Sequence, residues 1–311
     1  MKAIRFHRYG DSDVLTHEEA DRPAAGPGQV VVKVAGTSFN PVDAAIRAGY
    51  LREVFPVTFP GIPGIDVSGT VAEIGADVTG WAEGDPVVAV LPMTTAGATA
   101  EYVAVQADLL VPAPRSVDLA DAAALPAVGL TAYQALFDHA ALTAGHTVLV
   151  NGAGGAVGGY AVQLATAHGA TVTATAAPRS ATRIRGYGAT DVIDYTRTPL
   201  PEAAAGRRFD VVLNLVPTTP DETAALTDLV ADEGALVSTT GPVPESPGRG
   251  VRAMRMFLRA DATQLAALAT RVDAGTLAIH VAARRPLTDL PAVHDEAVTG
   301  RLPGKTILFP A

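Results

Sequence analysis

The run Asn151-Gly152-Ala153-Gly154-Gly155-Ala156-Val157-Gly158 lies between a short apolar stretch, 146–150, and an apolar helical stretch, 161–167. No other feature constrains the chain as much. A strand must end and a helix begin within a few residues. Small residues there let backbone N–H groups approach an anion, and the helix N-terminus adds partial positive charge. The placement points to a parallel-sheet unit that binds the pyrophosphate of a dinucleotide. A strict G-x-G-x-x-G would need glycine at Val157; the third glycine is Gly158, so the run by itself also reads as a tight structural turn.

On either side of this turn the texture differs. Short strands punctuated by Gly, Pro and Asp are expected at 29–35, 67–74, 86–91 and 101–105, the pattern of a compact β-barrel. From about residue 122, helices alternate with apolar strands at 147–151, 171–175, 192–194, 211–215 and 236–239, which implies a parallel sheet covered by helices. The segment 252–258 alternates Met254, Met256 and Leu258 with Ala253, Arg255 and Phe257, as an edge strand able to pair between subunits would. A helix at 263–273, an element at 279–282, a helix at 290–298 and a terminal strand at 306–309 complete the chain.

Composition excludes several functions. With 311 residues and 48% hydrophobic content, the chain can build two cores. Its net charge of −9 argues against a nucleic-acid surface, which relies on clustered positive charge. No secretory signal opens the chain, and its longest weakly polar region, 119–136, is broken by Pro126 and Gly129; a cytoplasmic protein without membrane attachment is expected. There is no cysteine, so thiol nucleophiles, disulfides and thiolate zinc sites are all excluded.

Further motifs run from end to end. They are Met1-Lys2-Ala3-Ile4, Asn40-Pro41-Val42-Asp43 with Arg47 and Gly49, Pro63-Gly64-Ile65-Asp66-Val67-Ser68-Gly69, Ala100-Glu101-Tyr102, Gly129-Leu130-Thr131-Ala132-Tyr133, Gly188-Ala189-Thr190-Asp191, and Gly304-Lys305-Thr306-Ile307-Leu308. In order and spacing they resemble the zinc-free quinone oxidoreductase branch of the medium-chain dehydrogenase/reductase superfamily. The resemblance implies a GroES-like β-barrel catalytic domain from 1–121 and 263–311. A Rossmann domain, a doubly wound parallel sheet, would be inserted at 122–262, with ligands bound in a cleft at the strand ends. Zinc-dependent relatives carry Cys where this chain has Asn40, and His-Glu where it has Ile65-Asp66, so no metal site is expected.

For the cofactor, no acidic residue lies between Gly158 and Asp191 to hold a ribose 2′-hydroxyl, whereas Arg179, Ser180, Arg183 and Arg185 follow the second strand. That favours NADPH, with Arg179 the best placed and Arg183 and Arg185 readable as the solvated face of a helix. The resemblance adds Tyr195 as a phosphate contact, the alternative being a packed aromatic with its hydroxyl in water, and assigns cofactor contacts to Asn40, Thr131, Asn214 and Lys305. Asn40 could orient the acceptor or cap the helix at Pro41; Thr131 could bond the nicotinamide carboxamide or a helix carbonyl. Tyr50, in an expected pocket loop at 49–59, could donate to the substrate oxygen or be a surface aromatic. Asp43 reads more readily as a structural cap than as a proton donor. Loops 49–59 and 242–250 are expected to set substrate choice.

The expectation is an NADPH-dependent, metal-independent homodimeric reductase of quinones or α,β-unsaturated carbonyls. An enoyl reductase of biosynthetic thioesters and a non-catalytic NADPH-binding protein are the alternatives. A methyltransferase would want an acidic residue after the second strand, which is missing.

Overall fold

A computed structural model describes residues 1–245 and 248–310; residues 246 and 247, inside the 242–250 loop singled out above, lie outside the described residues. The chain divides into two compact units, Met1–Ala127 with Ala260–Ala311, and Val128–Arg259.

The first unit is built on a mainly antiparallel sheet. Strands β1 (Lys2–Arg5) and β2 (Thr16–Glu19) pair separately; β3 (Gln29–Ser38) leads into helix α1 (Pro41–Arg47); β4 (Asp66–Ile74), β5 (Pro86–Val90), β6 (Tyr102–Gln106) and β7 (Val111–Pro112) follow. Valines alternate inward along β3, and Val30, Val32 and Val34 pack with Val67, Val71, Val87, Val103 and Val105 in a buried core, as β-branched residues do on a pleated surface. Strand β2 carries Thr-His-Glu-Glu and is mostly exposed, so no apolar alternation announces it.

The second unit begins within helix α2 (Pro126–Tyr133). Strand β8 (Thr147–Asn151) is followed by α3 (Ala156–Ala167), β9 (Thr171–Thr175), α4 (Pro178–Gly186), β10 (Asp191–Ile193), α5 (Leu200–Ala203), β11 (Phe209–Asn214), α6 (Pro220–Asp228), β12 (Val230–Ser238) and β13 (Arg252–Arg255). All six strands are parallel, in the order β10-β9-β8-β11-β12-β13. Counted within the unit this is 3-2-1-4-5-6, the Rossmann order, whose direction reverses between β8 and β11. The strand expected at 252–258 ends at Arg255, where Met256 turns into the core at 3% exposure; only its first half lies along the sheet edge.

The chain then returns to the first unit through α7 (Ala262–Asp273), β14 (Ala283–Pro286), α8 (Leu290–Val298) and β15 (Thr306–Phe309). The element expected at 279–282 forms instead at β14. Strand β15 pairs antiparallel with β3, matching Ile307 to Ser38 and Leu308 to Thr37. That register sets the end of the chain beside Phe39 and Asn40. No helix among the described residues is long and apolar enough to cross a membrane.

Candidate active site

In the first unit the ends of three strands converge on one buried carboxylate. Asp66, 0% exposed at the start of β4, accepts through Oδ2 from Ser38 Oγ, from Asn40 Nδ2 at 2.8 Å and from Lys305 Nζ at 3.2 Å; its Oδ1 accepts from the Ala127 N–H at 2.7 Å. Lys305, itself 5% exposed, also donates to Asn40 Oδ1 at 2.7 Å and to the Phe39 carbonyl at 3.4 Å. The structure thus joins Asn40 and Lys305 directly, through an acid that sequence reading did not select.

Asn40 is committed on both sides of its amide. Its Nδ2 serves Asp66 and, at 3.4 Å, the Ser38 carbonyl, while its Oδ1 serves Lys305. It does not cap α1 through its side chain: the Asp43 N–H goes to the Asn40 carbonyl at 2.9 Å. The reciprocal half of the cap is present, with the Asn40 N–H donating to Asp43 Oδ2 at 2.9 Å. In this network the amide is bonded on both sides.

Asp43 is 4% exposed, and its Oδ1 accepts from the Gly64 N–H at 3.3 Å. Burial, reinforced by the nearby Asp66 charge and opposed by the Asn40 N–H bond and Lys305, raises its carboxyl to about 7. The residue lines a cavity of about 210 Å³ whose walls include Ile46, Val57, Ile62, Ile65 and Met93. Tyr50 does not line it. Helix α1 ends with Gly49 at φ +82°, the Gly49 N–H bonds to the Ile46 carbonyl at 2.9 Å, and the Tyr50 N–H reaches back to the Ala45 carbonyl at 3.0 Å. This closure by a left-handed glycine leaves the Tyr50 ring 84% exposed, a surface aromatic rather than a donor held in the cavity.

In the second unit the glycine turn sits at the carboxyl end of β8. Gly155 precedes the first turn of α3, whose leading N–H groups have no intrahelical acceptor. A Cβ at Gly158 would lie 2.4 Å from the Gly152 carbonyl oxygen and from Ala153 Cα, so helix and turn approach too closely for any side chain. A Cβ at Gly155 would meet only the Gly152 oxygen, at 3.4 Å, and otherwise open space. The turn therefore presents bare backbone in front of a helix N-terminus, and a pyrophosphate fits it.

The supporting row is polar. The Gly152 N–H donates to Thr175 Oγ1 at 2.8 Å, that hydroxyl donates to Asn151 Oδ1 at 3.0 Å, and Asn151 Nδ2 donates to Asn214 Oδ1 at 2.9 Å. Asn214 is 0% exposed and spends its own Nδ2 on the Val216 carbonyl and on Thr218 and Ser238, so it braces the point where strand order reverses. Ser180 is buried with its Cβ and Oγ against Gly154.

Arg183 differs from the solvated-face reading: its Nη2 donates to the Gly154 carbonyl at 2.9 Å, and its guanidinium lies 5.7 Å from the Tyr187 ring centroid. Arg179, exposed one turn earlier on the same helix, and Tyr195, half-exposed after β10, both stand beyond the strand ends. Thr131 lies on α2, partly exposed. Ala153, Ala156 and Val157 complete the turn and the start of α3.

A dinucleotide cradle on a Rossmann sheet, in a chain that also carries a GroES-like unit, defines a nicotinamide-dependent oxidoreductase. Comparison with known proteins agrees. Residues 26–115 match the alcohol dehydrogenase GroES-like domain and residues 187–308 match the zinc-binding dehydrogenase family. The chain is 33% identical to the chloroplast envelope quinone oxidoreductase homolog of Arabidopsis thaliana, over 100% of its own length and 98% of that protein. It is 31% identical to the 2-methylene-furan-3-one reductase of Solanum lycopersicum, over 100% of this chain and 79% of that one. The solved quinone oxidoreductase from Coxiella burnetii superposes with a TM-score of 0.88 at 29% identity, covering 100% of this chain and 99% of that one. The chain belongs to the quinone oxidoreductase branch of the medium-chain dehydrogenase/reductase superfamily, and it is an NAD(P)H-dependent oxidoreductase.

The zinc named by the second family does not suit these residues. Where zinc-dependent relatives hold ligands, Asn40 is neutral, Ile65 has no donor atom, and the Asp66 carboxylate already accepts from the Lys305 ammonium. A divalent cation there would meet a buried positive charge. Among the described residues no group of three His, Cys, Asp or Glu side chains gathers elsewhere in ligand geometry.

Proposed function

We propose that this protein uses NADPH to reduce quinones or α,β-unsaturated carbonyl compounds, without a metal. The observation that carries the reading is the buried Lys305–Asp66–Asn40 network, which puts a fixed ammonium where a Lewis acid would have to sit. A zinc-dependent alcohol dehydrogenase uses such a Lewis acid to lower the barrier to hydride loss, whereas a conjugated carbonyl is already electrophilic. The similarity to a reductase named for an enone, a ring ketone conjugated to a methylene group, supports the same class. When bound, the cofactor supplies hydride.

The chain's own residues hold and aim it. Backbone N–H groups at the start of α3 face the pyrophosphate, and Arg183 stiffens the turn through the Gly154 carbonyl. Strand β9 ends at Thr175 and is followed by Ala176 and Ala177, with no carboxylate to repel a 2′-phosphate. Arg179, exposed in the first turn of α4, supplies the positive charge for it. The edge strand β13 gives a second copy of the chain a place to extend the sheet into a homodimer.

The test is NADPH and NADH oxidation with a quinone, an enone and an enoyl thioester. Turnover of the quinone or the enone, with kcat/KM at least about tenfold higher for NADPH, is expected. Arg179→Glu should raise KM for NADPH and leave KM for the acceptor unchanged. Preference for NADH, or NADPH kinetics unmoved by that substitution, would refute the cofactor assignment; turnover of the thioester alone would refute the substrate class.

A further inference from the structure

Reduction of a conjugated double bond adds hydride to one carbon and a proton to its neighbour, so the reaction needs an acid as well as a reductant. Tyr50, the acid the sequence offers, stands in solvent. The cavity of the first unit offers a different one. At about 210 Å³ it is larger than an engineered cavity of roughly 150 Å³ that binds benzene. A single quinone ring or a short enone therefore fits. Among its lining residues Asp43 alone is ionisable.

The carboxyl group is held at both oxygens, by the Asn40 N–H at 2.9 Å and by the Gly64 N–H at 3.3 Å. No cation pairs with it among the described residues. The charges that act on it are Asp66 and Lys305, which work in opposite directions, and the rest of the wall, aliphatic and polar, is uncharged.

We propose that this cavity takes the acceptor and that Asp43 is its proton donor. The inference rests on the reductase reading given above. Hydride adds to the β-carbon and the C=C π pair moves onto the conjugated carbonyl as an enolate. The Asp43 O–H bond breaks as a C–H bond forms at the α-carbon. The carboxylate left behind recovers its proton from water once product departs. With a quinone, the same proton neutralises the oxyanion left by hydride addition. The raised carboxyl, near 7 through burial, is poised between donating and recovering a proton at neutral pH.

The unaltered protein provides the first test. With a saturating nicotinamide cofactor, kcat/KM for an enone should be level in acid and fall tenfold per pH unit above about pH 7; a flat profile between about pH 6 and pH 9 would overturn the proposal. Infrared titration of the protein without cofactor should show a carboxylic C=O band lost over the same range; full ionisation by about pH 5 would also overturn it.

Asp43→Asn is nearly isosteric and should lower kcat by about 10²–10⁴-fold while leaving KM for NADPH within about twofold. It should also remove the infrared band. Should the variant fail to fold, the two measurements on the unaltered protein still decide the matter. If the unaltered protein reduces the acceptor and Asp43→Asn keeps full kcat, the role of Asp43 alone is wrong; if no acceptor is reduced, the reductase reading falls and this inference with it.

Discussion

Lys305 offers the sharpest test of how the first unit is held together. Its ammonium lies 3.2 Å from the Asp66 carboxylate, and both side chains are almost fully withdrawn from water. At an effective dielectric of about 20, two unit charges at that separation attract by about 5 kcal/mol. Desolvation of each ion opposes this by several kcal/mol, so the intact pair is near break-even against an apolar replacement. Breaking it one-sidedly is different. Lys305→Met leaves a buried carboxylate whose remaining donors, Ser38, Asn40 and the Ala127 N–H, are all neutral. The expected loss is about 3–5 kcal/mol. Combining it with Asp66→Asn removes the stranded charge, and the double variant should be more stable than the sum of the single losses by about 2 kcal/mol. The assay is urea unfolding followed by fluorescence. The chain has one tryptophan, Trp81, which belongs to the first unit, packs against its barrel core and donates Nε1–H to the Ala107 carbonyl at 3.3 Å. Its signal therefore reports the unit in question, and an unchanged m-value would show that the denatured state is the same. A Lys305→Met loss below about 1 kcal/mol, or additivity within about 0.5 kcal/mol, would refute the reasoning.

Acid stability should show two buried groups working against each other. His294 is 0% exposed, neither ring nitrogen has a hydrogen-bond partner among the described residues, and burial followed by the Arg47 charge holds it down to about 3. The unfolded chain therefore binds a proton below about pH 6.5 that the fold refuses, and stability falls on acidification. Asp43, raised to about 7, keeps a proton in the fold that the unfolded chain releases above about pH 4, so its contribution is gained on acidification and lost as pH rises. The two slopes cancel between about pH 4 and pH 6.5. Asp43→Asn should make the protein lose about 1.4 kcal/mol per pH unit of acidification relative to the unaltered chain over that window; parallel stability curves would contradict the Asp43 assignment. At the other site, Gly158→Ala forces a Cβ to within 2.4 Å of backbone in the turn, and calorimetry should find nucleotide binding weakened at least about tenfold, or roughly 1.4 kcal/mol. An unchanged Kd would mean that the turn does not position the cofactor.

What the sequence discloses is what neighbouring residues decide among themselves. The glycine turn and the strand-helix alternation are visible because side-chain period and backbone freedom act over a few residues. Arg183 was within reach of the same reasoning. It lies four residues after Arg179, so both occupy one helix face, and Arg183 uses that face to reach the turn. The position of Tyr50 was readable too, since Gly49 after Arg47-Ala48 is a helix C-terminal signal and the next residue is directed away from the helix.

The Asp66 network is of another kind. Asn40 precedes Asp66 by 26 residues, and Lys305 follows it by 239. No local pattern links the three, and Asp66 in isolation looks like any acid at the start of a strand. They meet because β15 pairs with β3 in one register, and one residue of slip would turn Lys305 to the opposite face. Closing so long a loop is not prohibitive, because each doubling of its length adds only about 0.6 kcal/mol of chain entropy. An entire Rossmann unit can therefore sit between Asp66 and Lys305.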